Sequence, residues 1–177
     1  KVSITDLKEK RANHSEFTSI VNKTHPSLIV FNGHGDKSKV TGYDNETLVE
    51  VGKNEAILTK SIVYARSCKS AKMLGPKSIV SGCKAYIGYD DDFVFFIEEG
   101  KISRPLEDKT AKLFIEPSNQ VVISLLKGHS ASDSNCRSKE GLKRSIQKMA
   151  TSASSKGETE LIPYMIWNYT HQVCLGD

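Results

Sequence analysis

Residues 27–31 (SLIVF) and 61–65 (SIVYA) are nearly unbroken apolar runs, rich in β-branched residues and too short for buried helices. Runs of this kind suit strands buried on both faces, as in a parallel sheet covered by helices. A third run, residues 84–89 (KAYIGY), reads the same way. Each run ends on residues with chemistry to offer: Asn32-Gly33-His34-Gly35-Asp36, Arg66-Ser67-Cys68 and Asp90-Asp91-Asp92. Strands of this sort alternating with helical patterns predict an α/β fold with a mainly parallel central sheet flanked by helices.

The rest of the chain supplies those helices. Phe17, Ile20 and Val21 are spaced for a short amphipathic helix over residues 15–22, capped by Ser15 and stopped at His25-Pro26. Residues 38–43 and 47–51 predict small strands around Asn45, and residues 56–58 a weak apolar stretch. A helix is expected over residues 68–74, with Gly75-Pro76 as its stop. Residues 105–115 and 118–127 predict two helices separated by Pro117, and residues 133–150 a polar helix carrying Leu142, Ile146 and Met149. Residues 150–157 are small and polar and read as a loop. Residues 161–169 (LIPYMIWNY) predict a last strand, placed at an edge by Pro163.

Composition narrows the function classes. At 177 residues and 38% hydrophobic content the chain fits one domain, spanning residues 1–177. The net charge of +4 is mild and its signs are interspersed, so a dedicated nucleic-acid groove is not indicated. The four cysteines, Cys68, Cys83, Cys136 and Cys174, show neither CxxC pairing nor zinc spacing. That usage fits an intracellular, cytoplasmic protein with no metal or other cofactor. No apolar window reaches membrane-spanning length, and membrane partners are not expected. The ends of the chain suggest a piece of a larger protein.

Reactive residues at the carboxyl ends of two buried strands meet at one sheet edge if the strands are parallel neighbours, because binding sites in open α/β sheets form there. This pairs His34 with Cys68. A helix start at Cys68, with Lys69 beside it, would favour the thiolate, and His34 would pass a proton to a leaving amine. The backbone N–H groups of Gly35 and Cys68 are placed to hold an oxyanion. Singly, a cysteine after a strand is more often a small buried hydrophobe, and a histidine in a glycine loop a turn residue. The two blocks together, with Ala65, Ser67, Ser70 and Ala71 keeping the surround of Cys68 small, argue for a site.

IVFNGHG followed by IVYARSCKSA resembles the His-Gly and Cys blocks of the caspase-like cysteine peptidases, most closely the CHAT type, where a strand ends in Ala-x-x-Cys as at residues 65–68. The resemblance covers residues 27–92. The caspase Q-A-C-[RQG]-G motif is absent, and the His-to-Cys spacing is shorter than the roughly 50 residues of caspases. The resemblance implies a three-layer sandwich, a Cys-His dyad without an obligatory third acid, cleavage of a protein substrate through a thioester, and fusion to a sensor or other regulatory module in bacterial defence or signalling. It also implies that Arg66 and Asp90, Asp91 and Asp92 line the pocket for the substrate residue before the scissile bond. Arg66 there favours an acidic side chain and the aspartates a basic one; a third option is that Arg66 neutralises one of them, and the aspartates read equally well as a solvated loop. The basic reading is preferred. A degenerate scaffold and another thiol enzyme, an amidase or acyltransferase, are the alternatives. His14, His25, His129 and His171 read as structural, and Tyr164 and Trp167 as core aromatics, with a partner-binding face as the alternative. Regulation is expected to lie outside the chain, leaving the isolated domain weakly active or inactive, with its pocket loops around residues 36–60 and 90–104 ordered by a partner module or by oligomerisation.

Overall fold

A computed structural model describes residues 2–151 and 156–177. The three predicted buried strands form: β1 (Leu28–Asn32), β4 (Ile62–Arg66) and β5 (Ala85–Tyr89) lie side by side, all parallel. A further strand, β6 (Gln172–Gly176), pairs antiparallel with β5 and completes the order β1-β4-β5-β6. The connection from β1 to β4 carries a small antiparallel pair, β2 (Lys39–Thr41) and β3 (Thr47–Glu50), turned through Asp44 and Asn45 at positive φ. The fold is therefore α/β with a mostly parallel four-stranded sheet.

Strand alternation splits the core between two faces. Val63 and Ala65 of β4 and Tyr86 of β5 pack with Phe17 and Val21 of α1 (His14–Thr24) and Leu74 of α2 (Leu74–Val80). Tyr64, Ile87 and Tyr89 pack on the other face with Val121 of α3 (Lys109–Leu126) and Ala131 of α4 (Ala131–Met149). Beyond them Phe114, Leu142 and Met149 close around Met165 of α6 (Ile162–His171). Burying one such side chain contributes roughly 1.5–3 kcal/mol, so covering both faces is what stabilises apolar strands of this kind.

Four expected elements come out differently. The cap of α1 is Asn13, whose side chain accepts from Glu16 N, not Ser15; the left-handed His25 ends this helix as expected. Residues 68–73 are turns, and α2 starts at Leu74 with Gly75 and Pro76 in its first turn rather than as a stop. Three amides of the turn go to tertiary acceptors, Lys69 N to Asp91 O, Ala71 N to Tyr89 O and Met73 N to Lys37 O, which also accepts from Leu74 N, while Lys72 N closes locally on Lys69 O. Pro117 does not divide α3, which runs 18 residues through it. Pro117 is buried against Gly141 of α4, where an added Cβ would come within 3.3 Å of it, and this packing outweighs the lost helical bond.

The predicted strand at residues 161–169 is the helix α6. Its Pro163 sits in the first turn, where no N–H is needed, and Met165 and Asn168 face inward at helical spacing. Tyr164 and Trp167, read as core, are 43% and 40% exposed. Of the stretch read as a loop over 150–157, residues 152–155 lie outside the described residues, and Lys156–Thr159 forms the short α5. Among the described residues no helix is long and apolar enough to cross a membrane.

Candidate functional site

The pairing of β1 with β4 sets the site. Its register ends at Asn32 opposite Arg66. His34 and Cys68 each stand two residues beyond that last pair, on neighbouring loops at the carboxyl edge. Asp90, Asp91 and Asp92 follow β5 along the same edge. His171 joins them, because β6 runs antiparallel and begins where β5 ends.

Hydrogen bonds tie the two reactive loops together. Ser67 Oγ donates toward the carbonyl oxygens of Gly33 at 2.9 Å and His34 at 3.1 Å, and Gly33 N donates to Arg66 O. Thr41 holds the histidine loop from behind, with both its N and Oγ1 donating to His34 O. Gly35 bridges Val40. An added Cβ there would meet Lys39 O at 2.8 Å and Ser67 Cβ at 3.1 Å, so a glycine is what lets the loop lie against the Cys68 turn.

Cys68 is half-buried, and its Sγ lies 4.0 Å from Phe93 O. No helix starts at it, so the expected dipole support for a thiolate is missing. Burial pushes the thiol up, and the Asp92 carboxylate beside it adds to this; the Phe93 backbone and the Lys69 ammonium oppose it. Lys69, at positive φ, is held by Asp92 Oδ2 at 2.9 Å and Asp91 Oδ1 at 3.6 Å. Those carboxylates raise the ammonium, Asp92 most. Asp91 is lowered, first by the N–H of Asp92 donating to it and then by Lys69.

The predicted pocket residues separate. Arg66 turns to α3, its Nε donating to Ser118 Oγ at 2.9 Å and its Nη2 to Asn119 Oδ1 at 2.5 Å. Its partners are thus polar neutral groups on α3 rather than an aspartate. Asp90 and Asp91 border an open cavity of about 360 Å³ with Ala71, Lys72, His171, Val173 and Leu175.

Several participants escape sequence reasoning. His171 Nδ1 meets Asp90 Oδ1 at 2.7 Å, and Trp167 Nε1 donates to Asp92 O at 2.9 Å. These partners are 81 and 75 residues apart in sequence and no local pattern connects them. Cys83 is buried between Ser61 O and Ala85 O, as a packing residue. Among the described residues no group of three or more His, Cys, Asp or Glu is placed to hold a metal ion. No family model, curated protein or solved structure matches this chain.

Proposed function

We propose that this chain is a caspase-like cysteine endopeptidase domain of the CHAT type, with Cys68 as nucleophile and His34 as proton carrier. One observation carries the reading: β1 and β4 are parallel neighbours whose register brings the His-Gly and Cys loops to the same level of one sheet edge. In the reaction His34 takes the proton of the Cys68 thiol, and the sulfur attacks the scissile carbonyl and forms a C–S bond, with the N–H groups of Gly35 and Cys68 as oxyanion donors. His34 gives a proton to the amine as the C–N bond breaks. Water then attacks the thioester, and sulfur leaves as thiolate. The substrate is a protein. The layers of helices on both faces are compatible with the three-layer sandwich of that family.

The acidic edge supports a basic residue before the scissile bond, since Asp90 and Asp91 border a cavity while Arg66 is committed to α3. Fusion to, or association with, a sensor module of a bacterial defence or signalling pathway supplies the restraint that an intracellular peptidase needs.

The test pairs a peptide library with peptidyl chloromethylketones on the full chain bound to its activator. Cleavage and a covalent adduct on Cys68, both abolished in Cys68→Ala and cleavage abolished in His34→Ala, are expected. Cleavage that survives Cys68→Ala overturns the mechanism. A second reading, a degenerate scaffold, is favoured by the neutral thiol that burial and Asp92 maintain; intact binding of a partner by Cys68→Ala with no turnover by the wild type would establish it.

A further inference from the structure

The loop after β5 is fastened on two sides. Toward the nucleophile, Lys69 N donates to Asp91 O at 3.0 Å, and Lys69 Nζ pairs with Asp92 at 2.9 Å and Asp91 at 3.6 Å. Toward α6, Trp167 Nε1 donates to Asp92 O at 2.9 Å, His171 Nδ1 pairs with Asp90 Oδ1 at 2.7 Å, and Asp90 N donates to His171 O at 3.0 Å. The Trp167 and His171 rings pack 4.2 Å apart and brace each other.

This fastening places an anion beside a group that must itself become an anion. A carboxylate next to a thiol disfavours the thiolate, whereas a free ammonium favours it. Lys69 is the ammonium nearest in sequence to Cys68, and its charge is taken by Asp91 and Asp92. The charged side chains that act on Cys68 are Asp92 and Lys69; Asp91 acts through its pairing with Lys69, and His34 stands on the neighbouring loop.

We propose that residues 90–92 form a latch that holds Cys68 as the unreactive thiol, and that α6 keeps the latch closed through Trp167 and His171. Moving α6 outward draws Asp92 from the sulfur and releases Lys69 to face it. The latch regulates the nucleophile of the proposed peptidase and rests on that reading, but Cys68 ionisation is measurable whether or not the chain cleaves peptides.

The experiment follows iodoacetamide alkylation of Cys68 against pH in the full chain, read by peptide mass spectrometry so that the other cysteines are separated. Asp92→Asn is expected to lower the midpoint by about one pH unit. At pH 7 that means about tenfold more thiolate of lower nucleophilicity, a net gain of about threefold in rate. Lys69→Gln is expected to raise the midpoint. Trp167→Phe and His171→Gln, which untie the loop without touching the sulfur, are expected to lower it and to add nothing on top of Asp92→Asn. Asp133→Asn, on the far helix α4, leaves the profile unchanged.

A midpoint that stays or rises in Asp92→Asn overturns the latch. A midpoint that stays in both α6 variants, with unfolding temperatures equal to wild type, overturns the part given to α6. Failure of peptidyl chloromethylketones to label Cys68 counts against the peptidase and leaves this alkylation profile standing.

Discussion

Ser67 Oγ reaches the carbonyl oxygens of both Gly33 and His34, at 2.9 and 3.1 Å, so a single buried hydroxyl joins the Cys68 turn to the histidine loop. The parallel pairing of β1 and β4 ends just before this point, and Ser67 extends the connection past the last strand pair.

Ser67→Ala is therefore expected to loosen the site more than the fold. His34 O keeps both donors from Thr41, so the uncompensated loss falls on Gly33 O. The expected cost is about 1 kcal/mol by urea unfolding. On the proposed peptidase reading, a fall in kcat larger than that stability loss explains, with KM little changed, is the signature of misplaced loops; an unchanged kcat would contradict it.

Gly35 allows a test by volume alone. In Gly35→Ala the new methyl meets a backbone oxygen at 2.8 Å and the stem of Ser67 at 3.1 Å, neither of which is a flexible side-chain end. A cost of about 1–3 kcal/mol is expected, together with slower peptide-probe labelling of Cys68. Gly100→Ala, whose Cβ meets nothing within 4 Å, serves as the control and is expected within about 0.5 kcal/mol of wild type.

Asn168 stands in for a strand. Fully buried on α6, it accepts from Val94 N at 2.9 Å and donates to Val94 O at 2.6 Å, satisfying a loop residue that has no sheet partner. Asn168→Ala strips both groups and is expected to cost about 2–3 kcal/mol. Limited proteolysis within residues 93–104 should accelerate more than the global stability loss accounts for. Equal cleavage rates at matched stability would refute the assignment.

Asp108 sets an acid limit on α3. Its carboxylate accepts from Ala111 N and Glu98 N, both at 2.8 Å, and it is held below the ordinary aspartate value, mostly by the Ala111 bond. A lowered folded value means that its contribution is complete above the unfolded value, about 3.9, and is lost as pH falls through the folded one. The urea midpoint of wild type should exceed that of Asp108→Asn at pH 6, and the gap should close toward pH 2. A gap constant with pH would show that Asp108 acts without its charge.

The strands were legible because burial on both faces leaves a composition that little else explains. The runs at residues 28–31, 62–65 and 85–89 appear as β1, β4 and β5 for that reason. The candidate dyad was legible for a related one: each reactive residue follows a strand end directly. Composition misled at residues 161–169, where aromatic and branched residues suit strand and helix alike, and only the inward facing of Met165 and Asn168 separates them.

Sequence alone determined the three parallel strands β1, β4 and β5 and that His34, Cys68 and Asp90–92 follow their ends, since local burial pattern dictates both; it did not place the edge strand β6. Tertiary structure decided how those groups are charged and held. In the turn at residues 68–73 the amides of Lys69, Ala71 and Met73 find acceptors on Asp91, Tyr89 and Lys37, and only Lys72 N bonds within the turn, to Lys69 O. Arg66 faces α3, Lys69 is spent on two aspartates, and His171 reaches Asp90 across 81 positions. Such pairings depend on distances between elements that the chain connects only through folding, and no local pattern of residues encodes them.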